Sequence, residues 1–261
     1  MVKIVSGWSN RGGSTFAFIN LTNALNAAGY DTTFYGPHEW HLDKCKSGRM
    51  NEINMSKDDN MIFHFIPLNG RPDVRKVLLS CHEKNIFEVG DIPQYWDEVV
   101  FLNKKQREYH NRYKGRYNII PNLKEVLENK PKSPETKGVA GIIGSIDENK
   151  QTHISIQKAV KDGFNKIMLF GNVTDPTYYN NFVKPLIDEK VIERGFISDK
   201  QKIYDEVEAV YLSSNSEVAS LVKDECETTG TKFYGSKATE HDVINLSNEE
   251  IIKEWVKVLD L

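Results

Sequence analysis

Glu217 and Glu225 are separated by seven residues in the segment SNSEVASLVKDECETTG, 214–230. Carboxylates accept hydrogen bonds from hydroxyls, so two of them at the mouth of a sheet suit a sugar and a ribose. Eight positions along a helix turn through roughly 800°, or roughly 80° beyond two full turns. If Glu217 sits just before the helix start, both carboxylates can face one cleft, and the polar loop aims free N–H groups at a ligand. By spacing alone two surface acids are the plainer reading. The run NRGGST, residues 10–15, is a second candidate. Gly12 and Gly13 allow close backbone approach to a ligand, and Ser14 or Thr15 can cap the helix that follows. The run is not G-x-G-x-x-G and lacks a P-loop lysine, so it is no dinucleotide fingerprint. A tight turn without ligand is the alternative.

A third candidate is KKQREYHNRYKGRYN, 104–118, where six Lys or Arg residues meet one Glu and three tyrosines. Lys104, Lys105, Arg107 and Arg112 open this basic stretch, which suits an anionic acceptor: a membrane surface, a lipid phosphate or nucleic acid. It also reads as a solvated helix face. HEWH, 38–41, offers two histidines to a metal but no third ligand, so a loop role is expected and no metal is assigned. His64 reads as a core or rim histidine. Trp8 could stack on a sugar or base, or pack in the core.

These residues lie between elements of an α/β pattern. Strand-like runs fall at Val2–Val5, Thr32–Tyr35, Met61–Ile66, Lys76–Leu79, Val99–Leu102 and Ile119–Ile120, with helices at Ser14–Ala28 and from Lys104. A charged, proline-bearing stretch at 124–137 breaks the series. The pattern restarts with strands Val139–Ile143, Lys166–Phe170, Ile192–Gly195 and Ala209–Leu212, and helices Ile154–Val160, Tyr178–Ile187, Lys200–Val207, Val218–Thr228 and 248–259. Such alternation predicts parallel sheets with helices on both faces. The expected organisation is a domain over 1–125, a linker over 126–137 and a second domain over 138–261. One larger sheet is the alternative.

The chain of 261 residues is 39% hydrophobic and 27% charged, with a formal net charge of −3, so no global charge excess advertises a nucleic-acid or membrane partner. Cys45, Cys81 and Cys226 show neither metal nor disulfide spacing, which fits a reducing cytosol. MVKIVSGWSN enters a strand directly rather than a leader peptide, and no stretch has the length of a transmembrane helix. The expected location is cytoplasmic, with membrane association open through 104–118.

Segment 214–230 resembles the signature of glycosyltransferase family 4: a Glu, seven residues, a second Glu, and a Gly five residues on, here Glu217, Glu225 and Gly230. GSIDENKQTHISIQKA, 144–159, resembles the family's opening of the second domain, with Lys150 at its lysine. IMLFGN, IERGFISDKQKIYDEVEAVYLSS and, upstream, GGST, LSCHEK with His82, VVFLN and Ile120-Pro121-Asn122 follow in the family's order. The likeness spans nearly the whole chain. It implies two Rossmann-like domains with parallel sheets (GT-B), the C-terminal helix packing back on the first. It also implies retaining transfer of sugar from a nucleoside-diphosphate sugar, without metal or other cofactor. In that reading Lys150 pairs with the diphosphate, Glu217 holds the donor sugar and Glu225 the ribose, Gly12, Gly13 and Ser216 bind the donor, and His82 lies near the anomeric centre. The diphosphate would sit in a crevice walled by both halves. The acceptor, whether glycan, lipid or another hydroxyl, is not readable. Ser145, Val218 and Lys232 depart from the family's Arg, Gly and Pro. The missing arginine at Ser145 favours, as one alternative, a catalytically silent nucleotide-sugar-binding module; a nucleotide-sugar epimerase is another, against which the Glu pair and Gly230 argue, and the basic stretch keeps a phage-type DNA-base glucosyltransferase as a minor option.

Overall fold

The computed structural model describes residues 1–7, 12–37, 42–83, 92–240 and 244–261. The chain forms two compact units, Met1–Leu123 with Asp242–Leu261, and Lys124–His241. The last twenty residues thus belong to the first unit, not to a second domain running to 261. The 126–137 stretch belongs to the second unit rather than standing apart.

The first unit holds a seven-stranded sheet. Its strands are β1 (Val2–Ser6), β2 (Thr32–Gly36), β3 (Ser47–Arg49), β4 (Asn60–His64), β5 (Lys76–Cys81), β6 (Glu98–Phe101) and β7 (Tyr117–Ile119), in the order β3-β2-β1-β4-β5-β6-β7. The recorded strand pairs are all parallel. Strands such as VKIVS and NMIFH are buried at every position, which explains why they read as continuous apolar runs instead of alternating ones. Helix α1 (Gly13–Ala27) packs Phe18, Leu21 and Leu25 on one face of the sheet. Its N-cap is Gly12, so Ser14 and Thr15 lie inside the helix and do not cap it. A short helix α2 (Lys104–Tyr109) follows β6, capped by Asn103. Residues 65–66, expected to extend β4, instead turn away, with Phe65 at φ 52°.

The second unit holds β8 (Val139–Ile143), β9 (Lys166–Phe170), β10 (Val191–Gly195), β11 (Ala209–Leu212) and β12 (Lys232–Gly235), in the order β10-β9-β8-β11-β12. Its recorded pairs are parallel as well. Helices α3 (Thr152–Lys161), α5 (Lys200–Glu206) and α6 (Leu221–Thr229) connect them. The expected helix 178–187 is instead one turn, α4 (Pro176–Tyr178), running into a π turn and a 3-10 turn through Leu186. Strand β3 (SGR) is short and polar, and β12 (KFYG) has only two aromatic residues between a lysine and a glycine, too short a run to announce a strand. The charged stretch before β8 is held to this unit by Lys132, whose ammonium donates to Tyr204 O (2.6 Å) and Thr231 Oγ1 (2.8 Å).

Helix α7 (Asn248–Val258) opens with a reciprocal cap between Ser247 and Glu250. Its Ile251, Trp255 and Val258, spaced on one helical face, enter the same core as Phe18 and Leu25. Asn60 Nδ2 donates to Leu259 O at 2.8 Å, fastening the chain end to β4. Trp255 is 4% exposed. Trp255→Ala is expected to destabilise the first unit by about 3–5 kcal/mol, read as a lower urea midpoint.

Candidate functional site

In each sheet the chain builds outward from a first strand, then returns to its other side. In the second sheet the reversal lies between β8 and β11. In open parallel sheets ligands bind outside the strand C-termini at such a reversal. Two loops lie there, 144–151 after β8 and 213–220 after β11.

These loops are laced together. Asn149 O accepts from Asn215 N at 2.8 Å, and the Asn149 side chain both accepts from Ser216 N (3.1 Å) and donates to Ser216 O (3.2 Å). Ser216, expected on the donor, has its backbone groups used in this lacing. Lys150 Nζ then reaches across to Glu217 Oε1 at 2.5 Å, with the side chains 25% and 12% exposed. Ser214 Oγ donates to the same oxygen at 2.7 Å. Among the described residues Glu217 Oε2 has no partner. Helix α6 starts at Leu221 with Ser220 as its cap, three residues later than the pattern suggested, and this leaves Glu217 in the loop.

The lysine is aimed by the loop below it. Asp147 Oδ1 accepts from Lys150 N at 2.9 Å, while Asp147 Oδ2 accepts from Ser145 Oγ (2.5 Å) and Thr174 Oγ1 (3.1 Å). Ser145, where the resemblance has an arginine, is therefore a loop-bracing hydroxyl. Gly171 has φ +154°, and a Cβ there would fall 1.8 Å from Gly144 O, so only glycine lets these two loop starts touch.

Glu225 does not share a partner with Glu217. It is 5% exposed on α6, with Oε1 accepting from Lys200 Nζ and Oε2 from Tyr204 OH, both at 2.5 Å. Lys200 also meets Glu125 at 3.4 Å. Burial pulls the Lys200 ammonium down, but the two carboxylates outweigh it and hold it above the ordinary lysine range. Lys200 and Tyr204 sit four apart on α5, hence on one face, yet their partner lies far along the chain. Local spacing shows the face and not the partner. Gly230 is the left-handed residue that closes α6, at φ +67°.

The first sheet reverses between β1 and β4. Gly12 and Gly13 begin α1 beside this point; Trp8, Asn10 and Arg11 of the glycine run, like the HEWH stretch, lie outside the described residues. His82 follows β5, partly exposed. Its ring packs on Phe18 (4.5 Å between centroids) and edge-on to His64 (5.3 Å), and Nε2 meets Ser80 Oγ at 3.1 Å. Burial, then the neighbouring His64, pushes its pKa well below the ordinary histidine value, so the ring is neutral near pH 7. His64 is a core residue, fully buried.

The basic stretch divides. Lys104, Lys105 and Arg112 are exposed. Arg107 turns inward: it donates to His110 O (2.8 Å) and Tyr113 O (3.0 Å), and stacks 4.4 Å over the Tyr117 ring. It braces the turn after α2 through these two main-chain carbonyls. No helix among the described residues is long and apolar enough to cross a membrane.

No family model and no curated protein matches the chain. Solved structures do match. HepE from Anabaena, crystallised in complex with UDP-glucose, aligns with a TM-score of 0.66 at 13% identity, covering 98% of this chain and 89% of its own. WaaG, a glycosyltransferase involved in lipopolysaccharide biosynthesis, aligns at 0.66 and 12% identity over 100% and 91%. Sucrose-phosphate synthase from Thermosynechococcus elongatus aligns at 0.68 and 13% identity over 91% and 81%. At these identities the likeness establishes architecture: the chain has the α/β fold of the GT-B glycosyltransferases, with two parallel sheets of seven and five strands.

Proposed function

We propose that this protein is a retaining glycosyltransferase that moves a sugar from a nucleoside-diphosphate sugar to a hydroxyl acceptor. The observation that carries this is the Lys150–Glu217 pair at the reversal of the second sheet. Its support is the fold shared with HepE, which was crystallised with UDP-glucose.

The chemistry follows from charge. As the bond from C1 to the phosphate oxygen breaks, negative charge grows on the nucleoside diphosphate. Lys150 and the N–H groups opening α6 meet that charge, in the place a metal ion takes in other transferases. Glu217, already anchored through Oε1, accepts sugar hydroxyls through Oε2. The acceptor oxygen bonds to C1 on the face the phosphate leaves, and the departing phosphate oxygen takes the acceptor proton, so no protein nucleophile is invoked. Glu225, held by Lys200 and Tyr204, is assigned to the ribose, and Ser216 and the Gly12–Gly13 turn to the donor. His82 is assigned to the sugar as a neutral imidazole.

Lys150→Ala and Glu217→Ala are each expected to slow release of UDP from UDP-glucose by about 100-fold or more, with the folded state intact by circular dichroism. Near wild-type rates in both variants would refute the assignment.

The exposed Lys104, Lys105 and Arg112 are proposed to meet an anionic membrane surface that presents the acceptor. Co-sedimentation with phosphatidylglycerol vesicles, lost on replacing these three with Glu and weak on phosphatidylcholine, is the expected result; equal binding to both vesicles argues against it.

The neutral state of His82 has its own signature. The folded pKa lies below the unfolded value near 6.5, so the unfolded chain binds the extra proton first. The stabilising contribution is complete above pH 6.5 and is lost as pH falls from there toward the folded value. Stability measured from pH 8 to pH 5 should therefore fall less steeply in His82→Phe than in the wild type.

A further inference from the structure

Behind His82 lies a buried polar chain that the proposed chemistry does not use. Ser6 ends β1, His64 ends β4, and Glu83 follows His82. Ser6 Oγ lies 2.8 Å from His64 Nδ1, and His64 Nε2 lies 2.8 Å from Glu83 Oε1. Ser6 and His64 are fully buried, and the Glu83 side chain is 23% exposed. The order Ser–His–Glu is that of hydrolytic triads, but the connection is reversed. In those triads the serine meets Nε2 and the carboxylate meets Nδ1. With its hydroxyl sealed from solvent, Ser6 is not a nucleophile.

The geometry assigns a different role. A carboxylate only accepts, so Nε2 carries the proton and donates it to Glu83. Nδ1 is then the acceptor for the Ser6 hydroxyl. This fixes one tautomer of His64 and, through it, the plane of a ring that packs on His82 and Phe18. The surrounding main chain is constrained at the same point. Phe65, next to His64, holds a left-handed φ of 52°, and a Cβ on Gly7, next to Ser6, would fall 2.5 Å from Phe65 O. Glu83 Oε2 is buried without a partner among the described residues, so His64 is the carboxylate's anchor. A carboxylate oxygen buried without a partner is costly, so the one bond to His64 fixes where the group sits.

We propose that Ser6, His64 and Glu83 are positioning residues: a buried hydrogen-bonded chain across the reversal of the first sheet that orients His82 for the sugar. This rests on the assignment of His82 under the proposed function.

The test uses the full chain labelled with 15N. Long-range 1H–15N correlation of the ring nitrogens should show His64 protonated at Nε2 and bare at Nδ1. A bare Nε2, or a ring protonated at both nitrogens at pH 7, overturns the proposal. Ser6→Ala and Glu83→Ala should move the His82 ring resonances. They should also lower the rate of UDP release from saturating UDP-glucose about tenfold or more, while UDP affinity changes less than about twofold. Glu83→Gln keeps an acceptor of the same shape and should recover most of the lost rate. Unmoved His82 resonances in both alanine variants overturn the proposal whatever the activity. If His82→Ala slows UDP release and the two alanine variants do not, the positioning role fails and the His82 assignment stands. If His82→Ala is itself without effect, that assignment falls, and with it the role proposed for the chain behind it.

Discussion

The contact between Lys150 and Glu217 is the constraint around which the second unit is organised. Both residues leave adjacent strands at the point where the chain changes direction in the sheet, and nothing in either loop alone would hold a charged pair there. Asp147 grips the lysine's own backbone, Asn149 stitches one loop to the other, and Ser214 shares the glutamate's bonded oxygen. Taking two opposite charges partly out of water is rarely a gain in stability by itself. Their retention in a braced, hydrogen-bonded frame is better understood as preorganisation of charge for a ligand.

Around that pair the second unit keeps its other charges occupied. Glu225, Lys200, Tyr204 and Glu125 satisfy one another, so the deeper carboxylate is neutralised by its own neighbours. The first unit solves a related problem with neutral groups. There the histidines and a serine share protons and aromatic faces, and only Glu83 brings charge. In the proposed function one reversal meets an anion and the other holds an uncharged ring in place.

Much of the architecture is legible in the chain because buried parallel strands must be apolar on both faces. Val139–Ile143, Lys166–Phe170 and Ala209–Leu212 lie where their apolar runs stand. What escapes the pattern has a physical reason. Strands β3 and β12 are short edge strands that do not carry the continuous apolar run of the central ones. The segment after Asp175 winds as a π turn, which the helical period does not distinguish. The start of α6 is set by the Ser220 side chain and not by the first apolar residue, and that three-residue difference frees Glu217 for the loop. Within the site, the approach of Lys150 to Glu217 and of Ser6 to His64 spans more than fifty residues of chain. Residue types nominate such partners, but only the tertiary pairing selects among them. Arg107 shows the converse: a basic residue in a basic run that turns both terminal nitrogens to nearby main-chain carbonyls.

The meeting of Gly171 with Gly144 bears on how this protein can vary. Most crowded positions yield when a neighbouring side chain swings aside. Here the obstacle is a main-chain carbonyl at the root of the lysine loop, so an added methyl has nowhere to displace it without shifting Lys150 itself. Under the proposed function, efforts to retune donor choice by library mutagenesis would do better to leave this glycine untouched.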